Sequence, residues 1–494
     1  MTISIAMTQE LSNELEAHLA RADGQEDVVI ATYVWSTGNT RRTAILGRAV
    51  MPAPGERKVH GNASFTGGYV VRAATEARER SEGIVLLHSH PDATGWQGLS
   101  GPDHNTESEY ERVARSITGL PLVGMTLGTR GSSWSGRVWE TSAEPTHAES
   151  VRVSGSTLRV TWNEDRRRAP RATEYQRRTV AAWGESIQRD IARLKVLVVG
   201  VGSVGLDIAA RIAATGVEHL GVMDVDVVEE LNLDRMIGAT REDARERRLK
   251  TEVAARVART AATATDFELQ THDVSITTPE GLAAALDYDV IFSCVDRPWP
   301  RAVLNSVAYA DLIPVIDGGI AIDTLPDGRM RGATWKTHAI VPGRPCMQCN
   351  GQLRVNELTL DRAGLLDSPK YIRQSGIQPG TGAPNVAALA ASVSAGMLAT
   401  FVSLVAAPAG IGVPAPLRYA LAVHQLEHLP ATSGMFCTYE KGTALGDKRL
   451  SLVSNSCSPT SQRTDSRRGR LRRCARRLLA AFTGRLARLA ERTG

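Results

Sequence analysis

The sequence predicts an α/β protein of more than one domain, and three observations carry that prediction. At 494 residues the chain has room for two or three domains, each with a sizeable core. From Val196 to Arg235 a β-branched apolar run, a glycine-rich turn, a helical pattern and a second apolar strand follow in order. That is the order of a βαβ unit on a parallel sheet. Well before it, an apolar run at Ile84–Leu87 delivers His88-Ser-His90-Pro91, the mark of a separate unit with its own chemistry. Apolar and charged fractions are ordinary for a globular chain. The net charge of +5 owes much to arginines in the last thirty residues, so it names no partner for the whole molecule. Six scattered cysteines give no secreted disulfide framework, and a reduced cytoplasm is the expected compartment. The opening MTISIAMTQELSNELE lacks the basic and apolar regions of a secretory signal.

In chain order, residues 8–21 set Leu11, Leu15 and Leu19 on one helical face, with Thr8 or Ser12 as cap. Strands are predicted at 28–34 and 43–50, Pro52, Pro54 and Gly55 break the chain, and a helix follows at 69–82. The next stretch reads LLHSHPDATGWQGLSGPDHNTE. Histidines two apart on an extended chain can turn to one side, and Asp103 can close a three-ligand set. Two His and one carboxylate leave a fourth tetrahedral position for water, the pattern of a catalytic zinc. Water on such a metal ionises near neutrality. A carboxylate base should stand nearby, and Ser100 can hydrogen-bond a tetrahedral oxyanion.

Over about residues 8–140 this pattern resembles the JAMM (MPN, JAB) metalloproteases, with His-x-His-Pro, a loop, and Ser-x-x-Asp. The resemblance implies an α+β zinc metalloprotease domain. Its zinc ligands would be His88, His90 and Asp103, its oxyanion donor Ser100, and its base Glu26, in GQEDVVIATY. The loop from His90 to Ser100 is longer than is usual in that family, and His104 is a bystander. A polar stretch, 141–156, then reads as a linker, and a strand at 157–162 opens the next domain. Arg166–Arg168 and Arg171 read as a solvated loop rather than a nucleic-acid patch. The boundaries are therefore 1–145 for the first domain, 146–172 for linker and entry strand, 173–450 for the second domain and 451–494 for the tail.

In the second domain Val196–Val199 is a buried strand. Gly200, Gly202 and Gly205 let the backbone approach a phosphate at the start of a helix running through Ala214. Asp224 ends the second strand, about where an acid meets a ribose hydroxyl; so far NAD fits equally. Asp226, Asn232, Arg235 and Lys250 follow, a set better suited to a triphosphate, with cations for the phosphates and an Asp for magnesium. Asp296, after the apolar run Val290–Phe292, ends a further strand near the same crevice.

From about Tyr175 to Leu404 this segment resembles the ThiF-type adenylyltransferases, the superfamily of ubiquitin-activating enzymes. The matching positions are Arg177, Gln188, GVGSVG, Asp224, Asp226, Asn232, Arg235, Lys250, Asp296 and PGRPCMQC. The resemblance implies a Rossmann-like fold with a mainly parallel sheet that binds ATP–magnesium and adenylates the C-terminal glycine of a ubiquitin-like protein. Asp224 would contact ribose, Arg235 and Lys250 phosphates, and Asp296 metal or substrate. Arg177 would reach the ATP of a partner subunit, which implies a homodimer. Cys346 and Cys349 would be half of a structural zinc site whose second Cys pair is absent here. Cys437 or Cys457 could be a third ligand, and a metal-free site is equally open. Cys294 reads as a small apolar packer. The crossover region, 354–385, has no cysteine, so no thioester or persulfide can form there.

Val386–Ala407 carries no charge and is long enough for a bilayer, but without basic flanks it reads as a buried helix against the sheet. The tail passes from a Ser/Thr stretch to a basic amphipathic helix, with Leu471, Leu478, Leu479, Phe482 and Leu486 on one face and arginines on the other. Docking on protein leads over an anionic membrane surface, and nucleic acid is not expected. The combined reading is a bacterial-type fusion enzyme of a ubiquitin-like pathway. One domain would process or deconjugate the small protein and the other would adenylate it, with a conjugating enzyme as a further partner. The alternatives are sulfur-carrier activation in biosynthesis and a non-catalytic scaffold that binds the carrier.

Overall fold

The computed structural model describes residues 1–60, 62–141, 143–367, 384–429 and 433–454. It is an α/β fold built on two mixed sheets. The first sheet takes strands β1 (Thr2–Thr8), β2 (Val28–Thr37), β3 (Arg41–Val50), β6 (Gly83–His90), β7 (Leu122–Gly128), β8 (Ser133–Trp139), β9 (Thr146–His147), β10 (Ser150–Ser154) and β11 (Leu158–Trp162). A separate hairpin holds β4 (Arg57–His60) and β5 (Asn62–Phe65). The order is β11-β10-β1-β3-β2-β6-β7-β8-β9. Helices α1 (Gln9–Leu19), α2 (Gly67–Glu79) and α3 (Gly101–Thr118) cover it. Thr8 caps α1, its hydroxyl accepting from Leu11 N at 3.1 Å, so one of the two predicted caps is the one used.

Two expectations for this half are corrected. His88 and His90 lie within β6 rather than beyond it, because β6 stays paired through His90, with β7 alongside. The segment read as linker and entry strand supplies β10 and β11, which complete the first sheet beside β1. The outer face of β11 also meets the other domain, as Leu158 and Trp162 pack with Val196, Ile191 and Leu194.

The second sheet runs β14 (Glu268–His272), β13 (His219–Met223), β12 (Lys195–Val199), β15 (Val290–Ser293), β16 (Val315–Thr324), β17 (Met330–Ile340), β18 (Leu417–Ala420), β19 (Gln425–His428). The first five are parallel, and the last three turn antiparallel. β12 and β15 are buried on both faces, as a parallel core requires. The apolar run from Leu312 enters the sheet only at Val315, because Leu312 takes a left-handed φ of 54° in the turn before it. Its helices are α4 (Arg177–Trp183), α5 (Glu185–Arg193), α6 (Ser203–Thr215), α7 (Arg241–Arg245), α8 (Lys250–Ala261), α9 (Pro279–Ala285), α10 (Pro298–Ala310), α11 (Val355–Arg362) and α12 (Ala387–Ala406). α12 is long and apolar enough to cross a membrane by length and composition. Here it lies on β16, β17 and α6, with Leu389, Val393, Met397 and Phe401 in the core. The predicted tail helix, Cys457 and residues 368–383 lie outside the described residues.

The two halves share a charged, buried interface. Arg41 and Arg152, both about 1% exposed, converge on Asp289, with Arg152 Nη1 at 2.9 Å. Asp289 Oδ2 also accepts from Lys195 N at 2.9 Å, so the amino ends of β12 and β15 are gripped by the first domain. Ser36 Oγ and Arg449 Nη1 reach Asp311 Oδ1 at 2.7 and 2.8 Å. Buried charges are costly unless paired in this way.

Candidate functional sites

The first candidate site lies at the carboxyl ends of β12, β13 and β15, where strand order reverses and open α/β sheets take their ligands. Gly200 has φ 85° and an added Cβ would lie 2.7 Å from the Cys294 carbonyl oxygen. At Gly205 an added Cβ would meet the Gly200 carbonyl at 1.9 Å, so α6 approaches the turn more closely than any other residue allows. Around Gly202 there is open space. This is backbone shaped for a phosphate at the N-terminus of a thirteen-residue helix.

Asp224 stands at the rim. Its Oδ2 accepts from Val201 N and its Oδ1 from Asp226 N, both at 2.8 Å. Burial pushes its carboxyl up, against the pull of Lys250. Lys250 Nζ is 2.9 Å from Asp226 Oδ2. Burial alone would lower the Lys250 ammonium, but the charges of Asp224 and Asp226, with Asp296 further off, hold it above the usual range. Asp296 itself is exposed, just past β15. The structure therefore groups Asp224, Asp226, Lys250 and Asp296.

Other predicted residues are engaged locally. Arg235 Nη1 bonds the Leu231 carbonyl oxygen and Asp234 Oδ1, the latter at 2.7 Å. Asn232 Oδ1 accepts from Glu229 N at 3.0 Å in a capping box. Arg177 is exposed and pairs with Glu174 at 3.2 Å, and Gln188 bonds Thr215 O at 2.9 Å. A contact that the sequence did not suggest is Asn385 Nδ2 to Ser203 Oγ at 3.2 Å, on the first turn of α6.

The second candidate site is at the end of β6. His88 Nε2 and His90 Nε2 are 3.1 Å apart, and Asp103 Oδ2 is 3.6 and 3.7 Å from them. A tetrahedron with ~2.0–2.1 Å arms has edges of about 3.3 Å, so these three atoms have the spacing of three zinc ligands. Burial, with Arg137 adding to it, pushes His88 down to about 4, leaving it neutral and able to ligate. Asp103 sits in the first turn of α3, with Ser100 as N-cap in a capping box. Ser100 Oγ donates to Asp103 Oδ2 at 2.6 Å, so the expected oxyanion donor is spent on a ligand in this state. Against burial, the bond to His90 and the charge of His88 hold the Asp103 carboxyl well below the usual range. Glu26 lies near enough for its charge to act on His90 and Asp103, and burial raises its carboxyl. Its neighbour Asp27 is about 1% exposed. Asp27 N bonds Ser89 Oγ at 3.0 Å, Ser89 N bonds Asp27 O at 3.1 Å, and Arg57 Nη1 reaches its carboxylate at 2.9 Å. This stitching sets Glu26 beside the histidines. The sequence offered no signal for it, since Ser89 and Arg57 are remote in the chain.

The third cluster joins Cys346, Cys349 and Cys437. Cys437 Sγ is 3.5 Å from Cys346 Sγ, and Gly434 N and Glu440 N point at Cys349 and Cys437 sulfurs at 3.2 and 3.4 Å. Cys437 is thus the described third partner. Burial pushes Cys346 up to about 12. Burial works to raise Cys349, but the Gly434 N–H and the contacts with Cys346 and Cys437 together hold it below the usual range. Cys294, by contrast, packs half-buried against the core, and burial pushes its thiol well up from the usual range.

Residues 175–419 match the model of the ThiF family. The chain is similar to the adenylyltransferase and sulfurtransferase MOCS3 of Caenorhabditis briggsae, 27% identical over 186 residues, covering 36% of this chain and 42% of that protein. It is 26% identical over 196 residues to the sulfur carrier protein ThiS adenylyltransferase of Bacillus subtilis, covering 39% and 54%. It thus spans about half or less of the length of either relative. Among solved structures, E. coli MccB with ATP aligns at a TM-score of 0.43 and 16% identity, over 55% of this chain and 74% of that one.

Proposed function

We propose, from the premise that residues 175–419 are a ThiF-family domain, that the chain is an ATP-dependent adenylyltransferase acting on the C-terminal glycine of a small carrier protein. The observation that carries this is the crevice itself. A glycine turn fit for phosphate lies beside Asp224, Asp226, Lys250 and Asp296. A carrier carboxylate would attack the α-phosphate of ATP and release pyrophosphate, leaving an acyl-adenylate. Lys250 would neutralise phosphate charge, with Arg235 turning in from its local bonds, and Asp224 would hold the ribose. Asp296 and Asp226 are the acids able to hold magnesium, which when bound would draw charge off the phosphates. A redox dinucleotide leaves Lys250 and the acids around it without a task.

Of the carriers, a sulfur-carrier protein is better supported than a conjugated ubiquitin-like protein, since the relatives' names speak of sulfur carrier and sulfurtransferase. With no cysteine in 354–385, the thiol or persulfide that consumes the adenylate would come from another protein. ATP–pyrophosphate exchange tests the reading: a glycine-terminated carrier should stimulate it, and no exchange with any such carrier favours a scaffold instead. A homodimer, with Arg177 exposed for the partner, belongs to the same proposal.

A second activity is favoured by a specific observation, the ligand-like spacing of His88, His90 and Asp103. We read it as a zinc site of a metallo(iso)peptidase that trims or releases the carrier. Zinc there would supply a water ionised near neutrality. Glu26, raised by burial, would take that water's proton. Hydrolysis of a carrier extended past its glycine, sensitive to chelator and restored by zinc, is the test. The Cys346, Cys349 and Cys437 set fits a structural zinc by its sulfur donors and its N–H···S bonds. One metal per chain that survives in His88→Ala would locate it.

A further inference from the structure

We infer that the buried Glu107–Arg137 pair is a positioning device that fixes Asp103 in register against His88 and His90. The inference rests on the reading of those three residues as a metal site. Glu107 follows Asp103 by four residues on α3, so both carboxylates leave the same face of the helix. Asp103 stands at the open first turn, whereas Glu107 is 1% exposed. Glu107 Oε2 accepts from Arg137 Nε at 2.8 Å and Trp139 Nε1 at 2.6 Å, and Arg137 Nη2 bonds its Oε1. Arg137 and Trp139 both belong to β8, so these bonds tie the helix across the sheet.

The space for the carboxylate is made by Gly124 on β7, where an added Cβ would lie 2.1 Å from Glu107 Oε2. The same guanidinium reaches the other side of the cluster. Arg137 Nη1 donates to Thr126 Oγ1 at 3.0 Å. Thr126 is the register partner of His88, with Oγ1 3.4 Å from His88 Nε2. One cation is therefore bonded to the helix of one ligand and to the neighbour of another.

Apolar packing could hold a helix on a sheet equally well, and a buried ion pair adds little net stability. What a two-bond Arg–carboxylate contact adds is direction. A slip of one residue would turn Asp103 by about 100° around the helix, away from the histidines. Glu107 also cancels the Arg137 charge, which alone would repel a cation at His88.

The test uses the full chain stripped of metal and titrated with Co²⁺ alone, read by d–d absorption, with Zn²⁺ in competition. Gly124→Ala keeps every charge but drives the Glu107 carboxylate from its place, and Glu107→Gln keeps the shape but removes the charge. Both should weaken Co²⁺ binding by about tenfold or more and alter the spectrum, while the metal-free chain still melts cooperatively. His88→Ala should abolish binding at this site. Wild-type affinity and spectrum in Gly124→Ala and Glu107→Gln would overturn the inference, even if both melt earlier, since the pair would then serve only the fold. Failure of the wild type to bind Co²⁺, or undiminished binding in His88→Ala, would overturn the metal reading itself and the inference with it.

Discussion

The His88–His90–Asp103 cluster and the glycine-turn crevice represent two ways of preparing a site. In the first, the ligand atoms already converge at metal spacing, and ion pairs of the buried Glu107 and Asp27 hold the segments around them. In the second, the backbone is fixed but the charged side chains are occupied with one another. Lys250 holds Asp226, Arg235 is folded onto Asp234 and its own loop, and Asp296 is exposed. A cation of fixed size rewards a rigid cage. A triphosphate that enters, reacts and leaves as pyrophosphate rewards side chains that can exchange partners. Under the proposed functions, rigidity here follows the ligand rather than the domain.

That contrast can be broken most sharply by exchanging the losses. His88→Ala should abolish zinc-dependent hydrolysis and leave carrier-stimulated pyrophosphate exchange intact, whereas Asp296→Ala should cut exchange by about 10²-fold and leave hydrolysis unchanged. Coupled loss of both activities in either variant would refute two independent sites. Gly205→Ala should come next. Its Cβ would strike the Gly200 carbonyl and shift α6, weakening nucleotide binding in calorimetry at a folding cost of about 1–3 kcal/mol. Cys437→Ser should remove one structural metal per chain by elemental analysis and lower the melting temperature, with both activities reduced only as the fold loosens.

A pH effect sharpens the boundary between the two regions. Burial pushes the Asp311 carboxyl up to about 6, against Arg449 and Ser36, and its Oδ2 has no partner among the described residues. An acid shifted upward holds its proton more tightly folded than unfolded. Its contribution to stability is therefore greatest at low pH, and falls as pH rises from about 4 through about 6, by on the order of 3 kcal/mol. Asp311→Asn should flatten that fall in thermal melts across this range.

Both clusters of chemistry were legible because their spacing is local. GVGSVG follows an apolar strand, and His88 and His90 sit two apart on another. What holds them was not. Nothing in GPDHNTESEYERVARSIT marks Glu107 and Glu111 as buried, yet both are. Their partners come from β8 and from within the helix, and only folding brings β8 near. Asp289 looks like an ordinary charge before a strand until Arg41 and Arg152 arrive from the other domain. The opening strand carries little signal of its own: Ile3, Ile5 and Met7 alternate along it, but over seven residues only and beside a helix of clearer pattern. β18 and β19 are four-residue strands, the first half-buried and the second mostly exposed, below what periodicity resolves.

The position of β10 and β11 dictates how the molecule can be dissected. A fragment cut at residue 145 would strip β1 of its neighbour β10 and present an unpaired row of N–H and C=O groups at Ile5–Thr8, an invitation to self-association. Extending the fragment past Trp162 restores that edge but bares the side of β11 that packs on Val196 and Ile191. It also leaves Arg41 and Arg152 without Asp289. Neither half is a ready-made module, and their fusion is a matter of folding before it is one of chemistry.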